Sequence, residues 1–354
     1  MIAFIIFLSN SSKFWYDRGG FKSKVISKIK TGQIHFKYNG NSENLEKFIN
    51  DNEHRLIGST DRITKKMRER GGGISKIRLV NKSKELKSYY QLNVDFETID
   101  SMGANFINSC LEIISKKFHQ LLNDSPQFKE SEKKIEVIMS ILSNYTPECI
   151  VESSLECKIG DLGDIDGMSS EEFALRFKNA FDIADIDINR AVTHNKGIMN
   201  GVDAVLISTG NDFRAVEAGV HAFASSKGKY KSLSDCTIID NIFKISLRIP
   251  LSVGTVGGIT DVHPMVKLSL KLLDNPTSDK LMNIICSVGL AQNFAAVKSL
   301  VTSGIQKGHM KMHLLNILNQ LEANPAEKEQ LITHFKTNSV SQRAVSEALK
   351  NLRT

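Results

Sequence analysis

The chain has 354 residues, long enough for two domains and a sizeable core, and its 41% hydrophobic and 24% charged content is that of an ordinary globular protein without a low-complexity tract. Its formal net charge of +7 rests largely on lysines in the first third and at the C-terminus. These basic residues are scattered and not interleaved with aromatics, which argues against nucleic acid and suits small polyanions. The cysteines, Cys110, Cys149, Cys157, Cys236 and Cys286, are odd in number and form no CxxC pair, which argues against a disulfide framework and a structural zinc site and points to a reducing cytoplasm.

The apolar start, Met1-Ile-Ala-Phe-Ile-Ile-Phe-Leu8, falls far short of the roughly 20 residues that span a bilayer. It lacks a basic leader and a small-residue cleavage site, so it reads as a strand or helix segment of the core. Arg18-Gly-Gly-Phe-Lys-Ser-Lys24 is a loop signal. Val25 to Leu45 reads as strand-like, with Gln33-Ile-His-Phe-Lys-Tyr38 alternating in period two, and Asn39-Gly-Asn-Ser42 marks a turn. Leu45 to Arg70, rich in Lys, Arg and Glu, is helical and is stopped by Gly71-Gly-Gly73. Ile74 to Val80 and Tyr89 to Phe96 predict two further strands. Asn105 to Leu122 predicts a helix with Ile107, Leu111, Ile114, Phe118 and Leu122 along one face. Lys134 to Leu142 predicts another strand. These elements form an α+β module over about residues 25–146, left at Thr146-Pro147. The portion that follows, to about 303, mixes helices with strands at Ala204–Ser208 and Thr237–Ile249. From Gly304 the pattern is helical and broken at Asn324-Pro325. No internal repeat is found.

Four segments carry residues suited to chemistry. Asp187 to His221 holds Arg190, Thr193-His-Asn-Lys-Gly-Ile-Met-Asn-Gly201 and Gly210-Asn-Asp212. The glycines and asparagines around Lys196 suggest a bent loop presenting a functional lysine. Asn211 or Asp212 suits a helix cap after a β-branched strand. The alternative is that Asp212 is only a cap and Lys196 only a surface lysine. Asp100-Ser-Met-Gly-Ala-Asn105 follows a strand and opens a helix, so its glycine and helix-terminal amides suit a phosphate, although GxGxxG is absent. Gly254-Thr-Val-Gly-Gly-Ile-Thr260 either brings backbone close to a ligand or is a plain tight turn. Within Gly304-Ile-Gln-Lys-Gly-His-Met310, His309 is either structural or catalytic.

Taken together, these runs, with Arg214-Ala-Val-Glu-Ala218 and Gly289-Leu-Ala-Gln-Asn-Phe-Ala-Ala296, resemble the 3-hydroxy-3-methylglutaryl-CoA (HMG-CoA) reductases, and most closely their bacterial, soluble class. The resemblance runs from about Ser9 to the C-terminus, in the family's order and spacing. It implies reduction of HMG-CoA by two hydrides from NADPH or NADH to mevalonate and free coenzyme A, or the reverse. By this resemblance Lys196 is the catalytic lysine and Asp212 the aspartate that contacts it. His309 is the histidine that protonates the departing thiolate, Arg190 pairs with the substrate carboxylate, and Asn200 joins the polar network around the lysine. Asp100, Met102, Gly103 and Asn105 fall in the dinucleotide-binding motif, and Gly257 and Gly258 in a second glycine-rich cofactor motif. No metal is implied.

The fold expected is α+β. A large α/β HMG-CoA-binding domain comes from residues 1–24 and 147–303. A small ferredoxin-like NAD(P)-binding domain is inserted at 25–146, and a C-terminal helical flap spans 304–354. A homodimer in the cytoplasm, without nucleic-acid or membrane partners, is expected. The departure from the family lies at the front. Its acidic motif, Glu-Glu-Pro-Ser or similar, precedes the Gly-Gly-Phe matched by Gly19-Gly-Phe21. Counted back, its proton-donating glutamate falls at or just before residue 1, and residues 1–8 do not fit. The expectation is a chain that starts late, either from a complete enzyme or as an impaired remnant.

Overall fold

The computed structural model describes residues 2–302, 304, 314–335, 338 and 340–353. In chain order its elements are α1 (Ile2–Tyr16), β1 (Lys22–Val25), β2 (Lys30–Lys37), α2 (Ser42–Gly58), α3 (Asp61–Arg68), β3 (Gly73–Asn81), β4 (Tyr89–Glu97), α4 (Ala104–Asp124), α5 (Glu130–Lys133) and β5 (Glu136–Leu142). There follow β6 (Ile150–Lys158), α6 (Ser170–Ile186), α7 (Ile188–Ser208), α8 (Phe213–Ala224), β7 (Ser234–Ile239), β8 (Ile242–Pro250), α9 (Pro264–Leu272) and α10 (Ser278–Val301). Two helices over Pro325–His334 and Gln342–Arg353 come last and pack with Leu314 and Leu318 in a small cluster of their own.

The strands form two four-stranded antiparallel sheets, β3-β4-β2-β5 and β1-β6-β8-β7. In the first, alternation in β2 and β4 turns Ile34, Phe36, Leu92, Val94 and Phe96 to one face, where they are fully buried. The stripe Ile107, Leu111, Ile114 and Phe118 of α4 covers that face, as its periodicity predicts. Because β1 pairs with β6, the chain leaves the second sheet after β1, builds the first sheet, and returns.

The second sheet is covered by α10, which packs on β6, β1 and β8 and against α7, α1 and α6. Among the described residues α10 is the helix long and apolar enough to cross a membrane, with a hydropathy of 1.5, yet 56% of that window is buried inside the protein. Alpha-7 crosses it at a glycine pair. A Cβ on Gly201 would stand 2.9 Å from the Val288 carbonyl oxygen, and one on Gly289 would stand 2.9 Å from Val202 Cγ2. The two backbones therefore approach as closely as only glycine permits.

Several expectations are corrected here. Thr193 to Gly201 is not a bent loop, and Ala204 to Ser208 is not a strand; both lie within α7. The buried set Ala191, Asn195, Ile198, Val202 and Leu206 follows helical spacing, and packing on α10 overrides the β-branched character of the last turn. Gly201 serves the helix crossing rather than a bend. Thr237 to Ile249 is not one strand but the β7–β8 hairpin, because Asp240 (φ 50°) and Asn241 (φ 61°) are both left-handed, as in a type I′ turn. Strand β6, with Val151, Ser153, Leu155 and Cys157 buried in alternation, is an element the sequence reading passed over.

Candidate functional site

A cavity of about 410 Å³ opens where three distant segments meet: Ser101 to Phe106, Gly210-Asn211, and Gly254 with Val256 to Thr260. Met102, Gly103, Asn105, Gly257 and Gly258 all line it, so residues singled out in two separate motifs share one site. Gly103 is the N-cap of α4 in the left-handed region (φ 84°) and has no side chain to cap with, so the first-turn amides of a 21-residue helix face the cavity. A Cβ on Gly254 would overlap the Met102 amide nitrogen, and Ser101 forms a parallel bridge with Val256. The two motifs are therefore in direct backbone contact. Asp100 holds this seam rather than lining it. Its carbonyl accepts from Thr255 N at 2.8 Å, and its Oδ1 accepts from Ser278 N, at the start of α10, at 2.7 Å.

The third wall comes from the turn between α7 and α8. Gly210 (φ 71°) ends α7 with Asn211 N donating to Leu206 O at 2.9 Å. Asn211 then reaches across the cavity floor, its Oδ1 accepting from Gly254 N at 2.8 Å. The next residue, Asp212, is the N-cap of α8. Its Oδ1 accepts from Arg214 N at 3.1 Å and Ala215 N at 3.2 Å. Its side chain is 42% exposed, and Oδ2 has no protein hydrogen bond among the described residues.

Lys196, Asn200 and Asp203 lie at i, i+4 and i+7 on α7 and so share a face. Lys196 is exposed and has no ion-pair partner among the described residues; the pair Lys196–Asp212 implied by the resemblance is not formed. Arg190, in the first turn of α7, is half-buried. Desolvation lowers its pKa, and no carboxylate pairs with it among the described residues. His309 lies outside the described residues.

Three features escaped the sequence reading. His194, beside the lysine, is 2% exposed and held by Ser234 Oγ (2.7 Å) and Asn293 Nδ2 (3.1 Å). Burial, with the Arg190 charge nearby, pushes its pKa down to about 3, so it stays neutral and structural. Asp203 sits against Glu217 of α8, and its Oδ1 is buried without a donor. Burial first, then the hydrogen bond and charge of Glu217, pushes Asp203 up to about 7. Lys30 is 3% exposed and donates to Thr98 Oγ1 (2.6 Å), Ser101 O (2.9 Å) and Met102 O (3.0 Å). His194 sits inside the quoted Thr193–Gly201 run, but no motif marks Asp203 or Lys30; only the periodicity of α7 and the inward side of β2 hinted at their burial.

Fold and site define a class first: a mixed α/β protein of two antiparallel sheets whose helix-terminus cavity is built without the common dinucleotide-binding turn. The family model for hydroxymethylglutaryl-coenzyme A reductase matches residues 3–314. The 3-hydroxy-3-methylglutaryl-coenzyme A reductase of Archaeoglobus fulgidus is 31% identical over 336 residues, spanning 92% of this chain and 70% of the relative. A probable enzyme of the same name from Borreliella burgdorferi is 34% identical over 306 residues, spanning 85% and 67%. Among solved structures, the reductase from Streptococcus pneumoniae superposes with a TM-score of 0.78 at 32% identity, covering 99% of this chain and 81% of that one. The class II enzyme of the same organism, bound to NADPH in open conformations, gives 0.78 at 33%, covering 85% and 79%. The chain belongs to the hydroxymethylglutaryl-coenzyme A reductase family, a family of oxidoreductases.

Proposed function

We propose that this protein reduces HMG-CoA to mevalonate and coenzyme A with NADPH or NADH, or runs the reverse reaction. The observation that carries the reading is the convergence of Met102–Asn105, Gly210-Asn211 and Gly257-Gly258 on one cavity, one residue from Asp212. Its volume lies within the range of about 300–1,000 Å³ typical of ligand sites, and the uncapped amides of α4 fit a diphosphate. A bound nicotinamide dinucleotide would supply hydride. Met102, Gly103 and Asn105 would hold its phosphates, with Gly257 and Gly258 allowing close approach. The NADPH-bound pneumococcal relative supports this assignment.

The chain's own residues supply the rest. The Lys196 ammonium stabilises negative charge growing on the thioester oxygen, and the Oδ2 of Asp212, free of the cap bonds, would hold that ammonium once substrate draws the two together. The uncompensated guanidinium of Arg190 suits the free carboxylate of the HMG unit in a bidentate pair. Asn200, one turn from Lys196, orients the lysine's neighbourhood, and His309 protonates the departing thiolate. We assign this chemistry to a large domain from residues 1–24 and 147–303 and a small, ferredoxin-like domain at 25–146. The order β3-β4-β2-β5 of a β-α-β-β-α-β unit supports the latter. The helices Pro325–His334 and Gln342–Arg353 belong to the proposed flap.

We place the protein in the cytoplasm as a homodimer. Five unpaired, buried cysteines support the first. The exposed Ile183, Ile186, Ile188 and Val192 on α6 and α7 support the second, since a second copy would cover them. The purified chain should oxidise NADPH or NADH only when HMG-CoA is added, and Lys196→Ala should abolish this. HMG-CoA-independent oxidation, or none with either cofactor, refutes the assignment.

A further inference from the structure

Lys30 is a buried cation that no carboxylate pairs with among the described residues, and it belongs to no motif. It stands at the start of β2, under the Asp100–Asn105 turn, and does not itself line the cavity. Its three donors are all used, on Thr98 Oγ1, Ser101 O and Met102 O, and Thr98 Oγ1 in turn donates to Ser101 O at 2.6 Å. Three acceptors match the three hydrogens of an ammonium, whereas a neutral amine would give up one of these bonds and leave Ser101 O with only the Thr98 hydroxyl. In a planar trans peptide the N–H points opposite to the C=O. Drawing the Met102 carbonyl toward Lys30 therefore turns the Gly103 amide away from it, toward the cavity that Gly103 lines, while the Met102 amide is covered by Gly254 and the Val256 bridge.

We propose that Lys30 is the positioning residue of the diphosphate site, fixing the Ser101–Gly103 peptides so that the Gly103 amide meets the ligand and placing a buried positive charge behind them. The inference rests on the reading of the cavity as the dinucleotide site. A buried charge without a partner is costly, and an anionic diphosphate on the far side of one peptide layer offsets that cost. Burial pulls the Lys30 pKa down to about 8, so part of the charge is lost just above neutrality unless an anion binds.

Of the groups facing Lys30, the Cys149 thiol and the Lys28 ammonium do not change charge in that range. Burial pushes the Cys149 thiol up to about 11. Lys28 is desolvated too, but its hydrogen bonds to Asp279 and Glu97 outweigh this and raise it. The Glu97 carboxylate is taken by Lys28 at 3.0 Å.

The test is dinucleotide binding by the full chain, followed by fluorescence titration with NADPH and with NADH, alongside steady-state kinetics. Lys30→Met should weaken binding by about 10-fold or more and raise the dinucleotide KM in parallel, with kcat at saturation and the KM for HMG-CoA within about twofold. Wild-type affinity should fall several-fold as pH rises from 7 through about 8 to 9.5, and folded Lys30→Met should lack that dependence. If Lys30→Met fails to fold, the wild-type titration alone decides. Wild-type affinity independent of pH, or a folded variant that binds as tightly as wild type, overturns the role of Lys30 while leaving the cavity as the cofactor site. A wild-type chain that binds neither dinucleotide overturns the cavity reading and this inference with it.

Discussion

Asp212 shows how one side chain serves two ends. Its Oδ1 caps α8 through Arg214 N and Ala215 N, and its Oδ2 stays open beside the cavity. The plain reading, a cap, and the functional one, a partner for Lys196, are therefore compatible, and they separate by substitution. Asparagine caps about as well as aspartate, so Asp212→Asn should stay within about 0.5 kcal/mol of wild type in thermal unfolding, whereas Asp212→Ala should lose about 1 kcal/mol. Both should lose roughly 10²-fold or more in kcat, because neither keeps the charge that holds an ammonium. If Asp212→Asn turned over at the wild-type rate, Asp212 would be a cap and nothing more. At this scale two separate stretches of the sequence, holding Gly103 and Asn105 and holding Gly257 and Gly258, were singled out, and the structure brings them to one cavity. The sequence was illegible at Lys30 and His194, whose roles depend on partners such as Ser101 and Asn293, 71 and 99 residues away.

Among elements, α7 and α8 carry Lys196, Asn200 and Asp212, and their mutual placement decides whether these side chains meet. Beneath them Asp203 of α7 faces Glu217 of α8, and burial, then the hydrogen bond and charge of Glu217, hold its carboxyl well above the ordinary range. The folded-state pKa of Asp203, about 7, is above its ordinary 3.8, so folding takes up a proton. The pair's favourable contribution is complete below about pH 4 and is lost as pH rises toward 7. Asp203→Asn supplies a permanent donor to Glu217. It should match wild type in stability near pH 4 and exceed it at pH 8 by about 1 kcal/mol, the modest value reflecting that water still reaches the pair. Thermal unfolding of both proteins across pH 4–8 measures the difference, and a variant less stable than wild type at pH 8 contradicts the raised Asp203 pKa. Alpha-7 is also where local reading failed most. Val205-Leu-Ile207 has the β-branched look of a strand, but burial at Ile198, Val202 and Leu206 against α10 sets the outcome. The β7–β8 hairpin was missed for the opposite reason. Its turn is two left-handed residues without glycine, Asp240 and Asn241, and a run of apolar residues on either side concealed it.

In the whole molecule, the two sheets have separate cores, and the 410 Å³ cavity lies along their seam. In the sequence, the break at Thr146-Pro147 and the change in pattern around residue 25 flank the strands of the first sheet. The seam left no such mark, because it is made by backbone atoms. Asp100 is its chief side-chain fastener: its carboxylate accepts from Ser278 N at the positive end of α10, while Ser278 Oγ donates to Ile99 O at 2.8 Å and Lys28 reaches Asp279 at 2.9 Å. Removing the carboxylate leaves the amide of Ser278 without its acceptor and loosens one sheet from the other. Asp100→Ala should therefore lose about 1–3 kcal/mol of stability. Hydrogen exchange should show the loss at the α10 N-terminus and the 254–260 loop before it reaches either sheet. Dinucleotide affinity should fall with it, since the cavity's walls belong to both sides. Ser278→Ala keeps the amide and the carboxylate and gives up only the hydroxyl, so its effect should be well under half as large. Equal effects from the two variants would mean that the seam is held by the Ser278 hydroxyl and the backbone alone, and that Asp100 acts solely within its own turn.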